Sequence, residues 1–161
     1  MAMMRMKKKV EISLRQRALN YLSRREYARA ELLHKLSRYT EDQGEVEILL
    51  DELAGKGWLS EQRFTEQLVH VRHGKYGSRM VAHELQEHGI SEELINETRS
   101  KLKVRDYANA VEVWRKKFGE PPKNIKEKAK QVRFLQSRGF ELGIILQVLK
   151  QSGAVIEEDN T

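Results

Sequence analysis

The chain has 161 residues, 39% of them apolar, which is enough for one ordinary domain with a modest core and too many for a chain disordered throughout. Thirty basic residues against 24 acidic ones leave a formal charge of +6, which suits an acidic partner such as nucleic acid but says nothing of fold. The lack of cysteine excludes a disulfide framework and a thiolate metal site, and no apolar run approaches the roughly 18 residues of a membrane span, so a soluble cytoplasmic protein is expected.

Residues 1–11 carry Arg5, Lys7, Lys8 and Lys9, lead into no secretory apolar region, and are expected to form a basic flexible start. Beyond them apolar residues recur at helical spacing. Leu14, Ala18, Tyr21 and Leu22 form a first stripe, and Val46, Leu49, Leu50 and Leu53 follow the i, i+3, i+4, i+7 pattern. Phe64, Leu68 and Val71 make a short stripe. Tyr107, Ala110, Val111, Trp114 and Phe118 make a longer one, and Leu142, Ile145, Leu146 and Leu149 close the series. The alternation of a strand is missing, so the fold class is all-α. Glycines after the stripes, among them Gly55, Gly89, Gly119 and Gly139, stand where a left-handed residue ends a helix. Thr40 with Gln43 and Asn124 with Glu127 have capping-box spacing, and Ser91 precedes Glu92 and Glu93, which favour a helix start.

The chain repeats itself. Leu85-Gln86-Glu87-His88-Gly89-Ile90 and Leu135-Gln136-Ser137-Arg138-Gly139-Phe140 share one pattern 50 positions apart, and the pairs Tyr27/Leu36 and Tyr76/Leu85 are offset by 49. Repeats of this length are stacked helical units that cannot bury their apolar faces alone. The expected fold is an elongated tandem array of three three-helix, helix-turn-helix-like repeats, about nine helices in all. Its repeats cover residues 12–59, 60–104 and 105–152, and an acidic flexible end covers 153–161. Gly119-Glu120-Pro121-Pro122-Lys123-Asn124 reads as an insertion of about eight residues between the first two helices of the last repeat.

Charge is uneven: Arg5–Arg38 holds 11 basic and 3 acidic residues, and Arg115–Arg133 holds 8 and 2. Helix-turn-helix units suggest DNA, but the third helices are acidic, mixed or apolar, so they suit a groove-reading role badly. The basic first and second helices are the candidates, through Arg24, Arg25, Arg29, Arg79, Lys117, Lys126, Lys130 and Arg133, with phosphate contacts that tolerate any sequence. Tyr27, Tyr76 and Phe118 lie close to basic clusters, where packing is the expected role. His70, His73, His83 and His88 have no ligating partner at a recognised spacing and are expected on helix surfaces. No phosphate cradle, nucleophile elbow or carboxylate pair in an apolar run is present, so neither catalysis nor a cofactor is expected.

Gly57-Trp58-Leu59-Ser60-Glu61-Gln62-Arg63-Phe64, then His73-Gly74-Lys75-Tyr76-Gly77-Ser78-Arg79, Glu84-Leu85 and Gly89-Ile90-Ser91 closely resemble the bacterial RecX family. The likeness continues through Lys117-Phe118-Gly119-Glu120 and Arg133-Phe134-Leu135 to Arg138-Gly139-Phe140, and covers roughly residues 12–150. Ser60 stands where an acidic residue is usual, and the first repeat has Glu26-Tyr27-Ala28 in place of the Lys-Tyr-Gly turn. The resemblance implies a regulator without chemistry of its own, acting in homologous recombination, DNA repair and the SOS response. Such a protein binds filaments of the RecA recombinase on DNA and suppresses strand exchange, ATP hydrolysis and coprotease activity. The residues expected to meet filament or DNA are Arg24, Arg25, Arg63, Lys75, Tyr76, Arg79, Lys117, Lys130, Arg133 and Arg138. The partners expected are RecA in its filament form and single- and double-stranded DNA through phosphate, with the protein acting as a monomer. A sequence-specific helix-turn-helix repressor and a purely protein-binding scaffold are the other readings.

Overall fold

The computed structural model describes residues 11–153, and within them the chain forms eight α-helices and no strand. It divides into two compact units that part between Glu61 and Gln62.

The first unit holds α1 (Leu14–Leu22), α2 (Arg29–Leu36) and α3 (Gln43–Gly55). Their apolar stripes meet in one core of Ala18, Leu32, Leu36, Val46, Leu50 and Leu53, with Tyr27 closing it from the turn between α1 and α2. Ser13 caps α1, accepting the Gln16 amide at 3.1 Å. The start of α3 lies two residues beyond the expected Thr40: Asp42 is its N-cap, accepting the Glu45 amide at 3.2 Å. Thr40 turns back instead, its hydroxyl accepting the Asp42 amide at 3.1 Å, the short-range bond that draws threonine into turns.

The second unit is built on α4 (Glu61–Arg72), α5 (Ser78–Glu87), α6 (Glu92–Lys117), α7 (Ile125–Ser137) and α8 (Leu142–Gln151). α5 packs along α6, and α7 and α8 pack on each other and on α6. Ala110, Trp114, Leu135, Phe140, Ile145 and Leu149 form the core shared by α6, α7 and α8. The break expected after residue 104 is absent, and the helices among the described residues number eight rather than nine. α6 runs unbroken for 26 residues because nothing from Glu92 to Lys117 is glycine or proline. Both its ends suit the helix dipole: Ser91 caps it ahead of Glu92 and Glu93, and Arg115, Lys116 and Lys117 finish it. α7 starts as its sequence predicts, Asn124 accepting the Glu127 amide at 2.8 Å while the Glu127 carboxylate accepts the Lys123 amide at 2.8 Å. Apart from Glu11 and Gly153, the expected flexible ends lie outside the described residues.

Two glycine turns meet in this unit. The Gly77 amide, in the α4–α5 turn, donates to the Arg138 carbonyl at the end of α7 at 2.7 Å. A Cβ on Gly77 would stand 2.3 Å from the Gly139 oxygen, and one on Gly139, where φ is +88°, would stand 2.5 Å from Met80 Cβ. Only residues without side chains let the repeated turns come so close. Beside this contact the buried Asp106 of α6 receives the N-terminus of α5, its Oδ1 accepting the Ser78 amide at 2.9 Å and its Oδ2 the Ser78 hydroxyl.

Candidate nucleic-acid interface

The meeting of the two turns brings cations from three elements together. Lys75 lies in the α4–α5 turn, Lys116 and Lys117 end α6, and Arg138 caps α7. They surround a cleft of about 320 Å³ whose apolar floor is Val113 and Phe134. The C-terminal ends of α6 and α7 carry partial negative charge, which is why basic residues settle there at low cost. Among the described residues no acidic one lines the cleft.

Aromatic rings hold these cations in place. Tyr76, half-buried, has the Arg138 guanidinium 5.2 Å and the Arg72 guanidinium 5.5 Å from its ring centre. Phe134 carries Arg138 and the Lys117 ammonium, each at 5.2 Å, and meets Phe118 edge-on at 5.5 Å. Such contacts restrain long side chains before any ligand arrives. Arg72 is itself neutralised, its Nε donating to Glu84 at 3.0 Å. Lys126, Lys130 and Arg133 follow at i, i+4 and i+7 on α7, all exposed, and extend the positive surface along that helix.

Of the residues expected from sequence, Lys75, Tyr76, Lys117 and Arg138 thus come together, with Lys130 and Arg133 along the adjoining helix. Arg79 is elsewhere, lining a groove with His83, Ile95 and Arg99. Arg63 is exposed on α4. In the first unit Arg24 stands beside Arg17 and Tyr21. Arg25 lies over the Tyr27 ring at 3.7 Å and bonds both Glu31 oxygens, at 3.1 and 2.8 Å. Arg29 is held by Glu47 at 2.8 Å and Asp51 at 2.7 Å. These bonds push both guanidinium pKa values further up and leave less unbalanced charge for a ligand. Sequence reasoning missed Lys116. Its signal was the run Arg115-Lys116-Lys117, but which of three consecutive lysines and arginines faces a cleft depends on helix phase. His83 pairs with Glu87 at 3.1 Å on an exposed face, whereas His88 lies against the Phe64 ring at 5.0 Å. Among the described residues no cluster of acids and histidines could hold a metal ion, and no helix is long and apolar enough to cross a membrane.

Fold and cleft together define a helical repeat protein with a preformed basic cleft. Family models for the second and third three-helix domains of RecX match residues 60–98 and 105–149. A regulatory protein RecX from Ralstonia nicotianae is 42% identical over 147 residues, covering 91% of this chain and 92% of that one. Its counterpart from Chromobacterium violaceum is 44% identical over 137 residues, covering 85% and 89%. The chain belongs to the RecX family, whose named members are regulatory proteins and not enzymes. The crystal structure of RecX from Lactobacillus salivarius superposes with a TM-score of 0.70 over 87% of this chain and 94% of that one, and at 18% identity this likeness concerns the fold.

Proposed function

We propose that this protein is a negative modulator of RecA, binding in the groove of RecA–single-stranded-DNA filaments and inhibiting strand exchange, ATP hydrolysis and coprotease activity. Membership of a regulatory family supports the class of function. The observation that carries the DNA contact is the cleft itself, where Lys75, Lys116, Lys117 and Arg138 converge with no carboxylate among the described residues. Phosphate contacts of this kind ignore sequence, as a partner that coats DNA of any sequence requires. The protein works as a monomer in the cytoplasm and needs no cofactor. Repeats that each touch the filament weakly add their contacts at high effective concentration, so the filament is bound better than free RecA.

The test is RecA ATPase on single-stranded DNA with substoichiometric protein. Inhibition that titrates toward one molecule per several protomers supports groove binding. Undiminished ATP hydrolysis at saturating protein refutes the proposal. A binding selection that returns one preferred duplex site would transfer the chain to the repressor reading.

A further inference from the structure

A second groove, of about 440 Å³, runs between α4 and α6 and shares no residue with the basic cleft. Its floor is apolar, formed by Val69 of α4 and Leu102 of α6. Thr65 is buried there at 2% exposure, and its hydroxyl has no hydrogen-bond partner among the described residues. α4 packs less closely than the other helices of this unit, and on its groove side Val69 is only partly buried. On the rim stand Arg105 and, one turn before it on α6, Lys101, which also pairs with Glu97 at 3.1 Å, with His70 and His73 opposite. One carboxylate, Glu66, also lines it and accepts from Gln62 at 3.1 Å.

We propose that this groove docks an amphipathic helix of a partner protein, apolar along one stripe and acidic along its edges. A helix laid between two helix walls is a recurrent mode of recognition, with apolar anchors at i, i+3, i+4 and i+7. Leucine-sized anchors reach Val69 and Leu102, and acidic side chains flanking them meet Lys101 and Arg105. A phosphate backbone suits the site less well, because it gains nothing from the apolar floor. In the basic cleft the balance is reversed: four cations and, among the described residues, no acid.

The probe is a fluorescein-labelled helical peptide of about 15 residues. It carries leucine at i, i+3, i+4 and i+7 with glutamate elsewhere, alongside a counterpart with lysine for glutamate. Fluorescence anisotropy with the full chain should show saturable binding of the acidic peptide and none of the basic one. Lys101→Gln/Arg105→Gln, two exposed positions, should weaken the peptide at least tenfold and leave oligonucleotide binding unchanged. Leu102→Gln should weaken it as well, and Lys117→Glu/Arg138→Glu should not. No saturable peptide binding, or binding indifferent to the Lys101/Arg105 change, overturns the proposal. Loss of oligonucleotide rather than peptide binding in that variant also overturns it and gives the groove to nucleic acid.

Discussion

At the scale of single residues, Asp106 does what no local pattern announces. A carboxylate inside a long polar helix looks like a solvated residue, yet it is 3% exposed and holds the first amide and hydroxyl of α5. Removing it leaves buried donors unpaired, so Asp106→Ala should cost about 2–3 kcal/mol, read from denaturant unfolding. For the cleft, Lys117→Glu/Arg138→Glu should lower single-strand affinity at least tenfold, and the slope of log affinity against log salt should shrink by roughly 1.4, as two lost phosphate contacts require. Glu52 supplies a pH signature in the first unit. Its hydrogen bond with Arg15, helped by Lys56 at 3.2 Å, holds its pKa below the usual glutamate value. A depressed acid stabilises the fold above its unfolded pKa of about 4.3, and the contribution disappears as pH falls through the folded value. The gap in unfolding midpoint between wild type and Glu52→Gln should therefore be full at pH 7 and vanish in strong acid.

At the scale of elements, the apolar stripes predicted most helices because period and burial coincide: Val46, Leu50 and Leu53 recur at helical spacing and all three are fully buried. A 50-residue period implies a passage from one repeat to the next, but one helix carries the chain through it, because helix breaking needs glycine or proline and neither occurs there. The candidate site was legible in kind but only partly in place. Lys75, Lys117 and Arg138 stood out as basic residues near turns, but their convergence depends on the contact of Gly77 with Gly139, a relation between positions 62 apart that neither turn reveals alone. That contact is testable. Gly139→Ala forces a side chain into left-handed backbone and against Met80, and should destabilise the second unit by roughly 1–3 kcal/mol. Weaker oligonucleotide binding should accompany it, since Arg138 is displaced with the turn.

For the molecule as a whole, the division between Glu61 and Gln62 predicts that stability is not shared evenly. Leu50→Ala, which opens a cavity in the first core, should cost about 2–5 kcal/mol there. Hydrogen exchange should quicken across α1 to α3 and remain as slow as before in α6 to α8.

The unbroken α6 also governs how the chain tolerates rearrangement. Each residue in a helix adds a 100° turn and a rise of 1.5 Å. A one-residue insertion or deletion near Val104 would therefore swing α7 and α8 around the α6 axis and carry Lys116 and Lys117 away from Lys75. Chimaeras that exchange the last repeat between relatives should work only when the splice keeps the number of residues between Ser91 and Phe118, so that this spacer acts as a ruler as well as a beam.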